Sequence, residues 1–222
     1  MKTPRRDIWT PLAGYAAALT FVVGVFLASD SPDSDASDAK VVSFYNNHGN
    51  RVGIIIGAYV LVFCALFLIW FTAGLRQRLR AAEGTGGRLT DVALGGGILA
   101  AVGISTGAIA LAAVPAGESF GGTPFHTADV ARYIPSIGFG MILIPAMFGA
   151  IALIDAVSIV IMRKGVLPRW LGWLGFVSGV LLLFAAPAFF PVILFPVWLV
   201  ATSVALQRSE SPAAEPAPAS PA

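Results

Sequence analysis

The stretch WLGWLGFVSGVLLLFAAPAFFPVILFPVWLVATSVAL, residues 170–206, decides the fold of this chain. It runs for 37 residues without a charged side chain. One helix of that length would measure about 55 Å at about 1.5 Å per residue, whereas the hydrocarbon core of a bilayer is about 30 Å thick. The run must therefore fold back, and Pro187 and Pro191 mark the predicted turn. We expect two spans, 170–186 and 188–206, with a re-entrant loop as the alternative.

Four further apolar stretches precede this run, and each is long enough to cross a membrane as a helix. The predicted spans cover 8–28, 52–75, 89–114 and 134–162, and the fourth is expected to bend near Pro145. A cleaved signal peptide is the alternative for the first span. The sequence thus predicts an all-α fold, a polytopic transmembrane helix bundle with about six spans.

The composition supports this assignment. Hydrophobic residues make up 57% of the chain and charged residues only 12%, about half of what soluble domains carry. The basic residues are spread over short loops, so no nucleic-acid partner is expected. We divide the chain into a cytoplasmic start at 1–7, a membrane domain at 8–206 and a Pro/Ala/Ser-rich tail at 207–222, predicted to be disordered and cytoplasmic.

The distribution of basic residues predicts the orientation. With six spans and both ends inside, eleven of the fourteen Lys and Arg residues lie on the inner side. Only Lys40, Arg51 and Arg132 lie outside. This is the bias expected of a plasma-membrane protein with cytoplasmic termini. The sequence therefore predicts a multi-pass protein of the plasma (inner) membrane, with the lipid bilayer as its first partner.

Two outer loops interrupt the spans. The first, at 29–38, is rich in Asp and Ser, and apolar residues at helical spacing follow it. They predict a short amphipathic helix on the membrane surface, with Ser37 as its cap and Gly49 as its stop. The second polar loop is predicted from Pro115 to Asp129.

Asp155 is the one acidic residue placed well inside a predicted span. A carboxylate at the bilayer centre is unfavourable by about 2.5–3.5 kcal/mol on insertion scales. One hypothesis makes Asp155 a proton or cation relay, or a counter-charge for a substrate. The alternative is a structural acid that bonds to Ser158 or to an arginine near the inner surface.

The two histidines of the chain, His48 and His126, fall on the predicted outer side together with Glu118 and Asp129. Such a set can in principle bind Zn²⁺. The spacing matches no known zinc motif, however, and favours ordinary surface or packing roles. We retain ion or ligand binding by His48, His126, Asp129 and Asp155 as a hypothesis, and we expect no resident metal and no cofactor.

Glycines recur in the spans as GxxxG pairs, and such small residues let membrane helices approach closely. The pairs are Gly53 with Gly57, Gly103 with Gly107, and Gly175 with Gly179. We expect them to serve packing within the bundle, with a homodimer or another membrane-protein partner as the alternative. Aromatic residues near the predicted span ends form a belt at the membrane surfaces: Trp9, Trp70, Tyr133, Trp170 and Trp173.

The segment GVLPRWLGWLG, residues 165–175, resembles a motif of uncharacterised multi-spanning membrane proteins of actinobacteria and related bacteria. The stretch that starts at Phe44-Tyr45 and ends at Leu75-Arg76 is similar to the beginning of the same group. The resemblance implies a membrane fold and a membrane location, without an activity. Asp155 lies outside the pattern of the group.

No set of nucleophile, histidine and acid can be named, so we predict a protein that is not an enzyme. The favoured role is a non-enzymatic accessory, scaffolding or sensing component of the membrane. The alternative is a small transporter or channel for a proton, a cation or a small solute that uses Asp155.

Overall fold

The computed structural model describes residues 7–32, 35–84, 86–122 and 128–210, which form helices and turns without a strand. The predicted all-α fold is confirmed. The helices are α1 Trp9–Ala28, α2 Asp38–Asn46, α3 His48–Glu83, α4 Arg88–Gly121, α5 Ala128–Met141, α6 Met147–Lys164, α7 Arg169–Leu182, α8 Ala185–Ala188 and α9 Leu194–Glu210. A π-helical turn, Ile142–Ala146, joins α5 to α6, and a 3₁₀ turn, Phe190–Ile193, leads into α9.

Several of these helices suit a lipid environment. Among the described residues, five helical stretches are long and apolar enough to cross a membrane: Trp9–Ala28, His48–Glu83, Arg88–Gly121, Ala128–Lys164 and Phe190–Ser209. Large apolar side chains such as Leu19, Phe63 and Ile109 lie exposed on the outside of the bundle. Water would oppose so much exposed apolar surface, whereas lipid favours it. The chain is a multi-pass membrane protein.

Six helices close into a ring. Helix α1 packs against α3 and α9, and the order continues from α3 through α4, α6 and α7 back to α9. The Tyr15 hydroxyl lies 3.1 Å from Gln207 Oε1, so the start of α1 is beside the end of α9. We call this the basic end of the bundle, because α6 finishes there with Arg163 and Lys164. The opposite end, with Asp38 and Glu118, is the acidic end.

Glycine sets the spacing between neighbouring helices. A Cβ atom added at Gly96 of α4 would lie 2.6 Å from the backbone nitrogen of Leu153, and one at Gly103 would lie 2.6 Å from that of Ala146. The structure describes all six glycines of the GxxxG pairs, and five of them lie against a neighbouring helix of the same chain, whereas Gly53 faces open space. The pairs therefore pack the bundle, as small residues do between membrane helices.

The long apolar run breaks where its prolines predict a turn. Helix α7 ends at Leu182 after 14 residues, or about 21 Å. The short α8 contains Pro187, and Pro191 lies in the 3₁₀ turn before α9. Pro196 falls in the first turn of α9, where the missing N–H is tolerated. Pro145, at the predicted bend, lies inside the π-helical turn, because proline removes one α-helical hydrogen bond.

The predicted short helix at the acidic end is present as α2. Its cap Ser37 accepts a hydrogen bond at 3.4 Å from the backbone N–H of Lys40. The predicted stop at Gly49 is wrong. Asn47 separates α2 from α3, because its side chain accepts hydrogen bonds from the N–H groups of Gly49 and Asn50 at 2.9 and 3.4 Å and so begins the next helix.

The second polar loop also starts later than predicted. Helix α4 continues through Pro115 and ends at Gly121, one residue before Gly122 with its left-handed φ of 65°. An ion pair between Arg51 Nη1 and Glu118 Oε1, 2.7 Å long, fixes the added turn to the start of α3. Composition places Pro115 and Gly117 in the predicted loop, and this contact between distant residues keeps them in the helix instead.

Candidate functional site

The predicted outer residues do not form one site in the part of the chain that the structure describes. His48 is exposed at the first position of α3. Asp129 is exposed in the first turn of α5, where one carboxylate oxygen lies 4.0 Å from Arg132 Nη1. His126 lies outside the described residues. Within the described ranges, no group of three His, Cys, Asp or Glu residues is placed to hold a metal ion.

Asp155 lies in the middle of α6 and faces α7. A Cβ atom added at Gly179 of α7 would overlap the Asp155 carboxylate. The glycine therefore lets the backbone of α7 lie directly on the acid. The Asp155 Oδ1 atom is fully buried and has no hydrogen-bond partner among the described residues.

The partners expected for a structural acid are engaged elsewhere. The Ser158 hydroxyl donates to the carbonyl oxygen of Ile154 at 2.7 Å, which belongs to its own helix. Arg76 pairs with Asp91, with 3.3 Å between Nη2 and Oδ1. Neither group satisfies Asp155. Its side chain as a whole is half-buried, but its Oδ1 atom stays buried without a partner among the described residues.

Three further polar atoms inside the bundle share this state. Ser178 Oγ of α7, and Trp198 Nε1 and Thr202 Oγ1 of α9, are buried without a hydrogen-bond partner in the described residues. We call these side chains, together with Asp155, the buried polar layer. Other buried hydroxyls are satisfied by their own helices, as Thr72 and Ser203 are at 2.8 Å each. The unpaired atoms of the layer are therefore exceptional.

The four side chains lie at similar depth. Asp155 is eight residues before Arg163, Ser178 nine after Arg169, and Trp198 and Thr202 ten and six before Arg208. At about 1.5 Å per residue, these separations put the layer about 9–15 Å from the basic end. Helix α7 packs against both α6 and α9, so the three helices that carry the layer are neighbours in the ring.

Trp198 extends the buried polar layer from α9 towards α3. Its indole packs edge-on against Phe71 of α3, with 6.3 Å between ring centroids, and is fully buried. The four tryptophans of the predicted aromatic belt are exposed instead. An indole N–H usually finds a hydrogen-bond partner when it is buried. The unpaired Trp198 Nε1 atom is therefore unusual and supports the layer as a candidate site.

Sequence reasoning found Asp155 and missed the other three members. Serine and threonine in membrane helices usually bond their own backbone, so the identity of Ser178 or Thr202 gives no warning. Trp198 does carry a signal, because it is the one tryptophan of the chain away from a predicted span end. Tryptophan prefers the membrane surfaces, and its place mid-span indicates a special environment.

A second polar region lies at the acidic end, around α2. Arg132 Nη1 lies 2.8 Å from Asp38 Oδ1, and Nη2 of the same guanidinium donates to the carbonyl oxygen of Ala36. Arg51 Nη1 donates to the Tyr45 carbonyl oxygen at 2.9 Å. Burial raises the pKa of the Tyr45 hydroxyl above its ordinary value. These contacts tie α2 to α3 and α5.

No family model matches this chain, and neither a curated protein nor a solved structure matches it. The interpretation of the site therefore depends on its own geometry and chemistry. The buried polar layer is the strongest candidate, because it collects unpaired polar atoms where lipid makes them most unfavourable.

Proposed function

We propose that this chain is a multi-pass protein of the plasma membrane that gives a proton a binding position at Asp155. Both ends of the chain lie in the cytoplasm, with the basic end of the bundle on the inner side. The buried polar layer carries the proposal. A buried polar group without a partner is unfavourable by about 1–3 kcal/mol, and an ionisable residue within the membrane marks a functional site by default.

The chemistry of the layer favours a proton over a metal cation. Oxygen donors that bind cations come from Asp155, Ser178 and Thr202, fewer than the six to eight that calcium prefers. The Trp198 N–H is a donor only and cannot bind a cation. A carboxyl group, in contrast, needs no further ligand to take up and release a proton, and hydroxyls can both donate and accept around it.

This function requires no covalent chemistry, so the proposal assigns no enzymatic activity to the chain. The proton enters from water on one side, protonates the Asp155 carboxylate, and leaves the neutral acid for water on the other side. Neutralisation on proton binding also lowers the electrostatic penalty of a half-buried carboxylate.

Proton flux through reconstituted vesicles tests the proposal. Vesicles that contain the purified chain and a trapped pH-sensitive dye should dissipate an imposed pH gradient faster than protein-free vesicles. Asp155→Asn should lower the protein-dependent rate about tenfold or more, because an amide cannot carry a proton. The control is Ser158→Ala on the same helix, whose hydroxyl bonds Ile154, and it should retain the rate.

Equal rates for the parent chain and Asp155→Asn would contradict the proposal. A parent chain that is indistinguishable from protein-free vesicles would contradict it as well, and would favour the second candidate. In that candidate the chain is an accessory, scaffolding or sensing component that acts through its acidic end. Arg51, which donates to the Tyr45 carbonyl oxygen, and Arg132, which pairs with Asp38, support it, because they hold α2 as a defined surface for a partner.

A further inference from the structure

Two hollows adjoin one another at the acidic end of the bundle. One lies between α2, α5 and the residues after α1, and the other between α1, the end of α5 and the turn before α9. The first is polar, encloses about 200 Å³ and is lined by residues that include Ser31, Tyr45, Arg132 and Ser136. The second is an apolar groove of about 840 Å³, and Phe139 lines both. A volume of this size falls in the range of ligand sites, about 300–1,000 Å³.

One stripe of α5 and of the π-helical turn after it lines both hollows. Arg132, Ser136 and Phe139 follow one another by four and three residues, which keeps them on one face of α5, and Leu143 follows in the π-helical turn. The stripe changes from charged to apolar as it descends into the bundle. Eleven residues at about 1.5 Å each span about 16 Å, close to half of the hydrocarbon core of a bilayer, which is about 30 Å thick. The site therefore matches the length of one lipid leaflet.

The far wall of the groove is an irregular turn. Phe189 has a φ of 56° and a ψ of −42°, a conformation rare for a residue other than glycine. Such backbone strain clusters at ligand clamps and costs of order 1–3 kcal/mol. Phe26 of α1 and Phe190 of the turn both line the groove and are 79% and 87% exposed. The turn thus presents aromatic rings to whatever enters from the membrane.

The charge of the polar hollow selects the headgroup. Arg132 is the one cation among the described residues that line it. Asp38 and Asp129 do not line the hollow, but one carboxylate oxygen of each lies 2.8 and 4.0 Å, respectively, from Arg132 Nη1. Two carboxylates around one guanidinium leave the local charge negative, which disfavours a purely anionic headgroup. A zwitterion satisfies both signs, since its phosphate is attracted to Arg132 and its ammonium to the aspartates.

We infer that this chain binds a zwitterionic aminophospholipid from the leaflet at the acidic end. The headgroup occupies the polar hollow beside Arg132, and one acyl chain lies in the apolar groove past Phe139. This site is separate from the buried polar layer and does not depend on proton binding there.

Lipid retention, measured by native mass spectrometry of the full chain, tests the inference. After delipidation, equal amounts of dioleoyl phosphatidylethanolamine and dioleoyl phosphatidylglycerol are added back. The parent chain should retain the ethanolamine lipid about tenfold more than the glycerol lipid. Val22→Trp fills the groove and should abolish this preference. Val23→Trp is the matched control, because Val23 is similarly exposed but does not line the groove.

Equal retention of the two lipids by the parent chain, or an unchanged preference in Val22→Trp, would overturn the inference. Asp129→Asn provides a second test that leaves the groove intact. Its side chain is 78% exposed, so the variant should fold. The loss of one carboxylate should shift retention towards phosphatidylglycerol, whereas an unchanged ratio would refute the assignment of the headgroup.

Discussion

At the residue scale, two adjacent glycines of α4 show how tightly the ring is packed. A Cβ atom at Gly96 would lie 2.6 Å from the backbone nitrogen of Leu153 and 2.7 Å from the carbonyl oxygen of Gly149, and backbone atoms of this kind cannot move aside cheaply. A Cβ atom at Gly95 would meet nothing within 4 Å. The two positions share one helix and one depth, and only their neighbours differ.

We therefore expect Gly96→Ala to destabilise the protein and Gly95→Ala to leave it unchanged or slightly more stable. Overpacking of this kind costs about 1–3 kcal/mol, while the gain in helix propensity on replacing glycine is common to both variants. Thermal unfolding in one detergent compares the pair. A melting temperature lowered equally in both variants would mean that α4 and α6 do not approach as closely as described.

Asp155 and Trp198 mark how far sequence can locate the site. A lone acid in an apolar span is visible in the sequence, because its cost in lipid is known. The unpaired state of Ser178 and Thr202 depends on which way each helix faces in the closed ring. That orientation is set by contacts between distant residues, such as Gly179 on Asp155, and no local pattern contains it.

At the scale of elements, a carboxylate from one helix caps the next. Gly87 precedes α4 and has no side chain to cap it. Glu83, the last residue of α3 and eight residues beyond the predicted second span, accepts hydrogen bonds from the N–H groups of Leu89 and Thr90 at 3.2 and 2.7 Å. The Thr90 hydroxyl donates to it at 2.5 Å. The carboxylate thus fixes the start of α4.

This cap predicts a pH effect. Burial acts to raise the pKa of the Glu83 carboxyl, but hydrogen bonds from Thr90 and Leu89 outweigh it and leave the pKa below its ordinary value of 4.5. A lowered pKa in the folded chain means that the cap stabilises above the ordinary pKa and is lost as pH falls through the lowered one. Amide hydrogen exchange at Leu89 and Thr90 should therefore show protection near neutral pH that falls in acid.

Glu83→Gln should remove most of this pH dependence, and it should destabilise the start of α4 by about 0.5–2 kcal/mol, the usual worth of a helix cap. Protection at Leu89 and Thr90 that is the same in the parent and in the variant at neutral pH would show that another group caps α4.

The helices themselves differ in how well sequence predicts them. Prolines in an overlong apolar run predict the break between α7 and α9. Both the length of the run and the effect of proline on the helix backbone can be read from the local sequence. The end of α4 at Gly121 and the start of α3 at His48 were missed. An ion pair between Arg51 and Glu118, 67 residues apart, and the side chain of Asn47 decide them. Contacts between distant parts of the chain are the information that a local pattern lacks.

At the scale of the whole molecule, the ring has an even number of helices. The chain therefore enters and leaves the ring at the same end of the bundle. The contact between Tyr15 and Gln207 brings the two ends of the ring together. The basic residues in the last turn of α6 and at the start of α7, Arg163, Lys164 and Arg169, lie at that same end. Composition and the positive-inside rule predict this arrangement from sequence, because lipid and membrane potential act on every span alike. The closure of the ring by packing of α1 against α9 can be recognised only from the structure.

Site-directed labelling tests this topology most directly. Cys64 is fully buried and is the one cysteine of the chain, so single cysteines can be introduced at exposed positions and probed with a membrane-impermeant maleimide. In intact cells Ala39→Cys should react from outside. Gly86→Cys and Ser209→Cys should react only after the cells are permeabilised. If either Ser209→Cys or Gly86→Cys reacted from outside in intact cells, the result would contradict a six-helix bundle with its basic end in the cytoplasm.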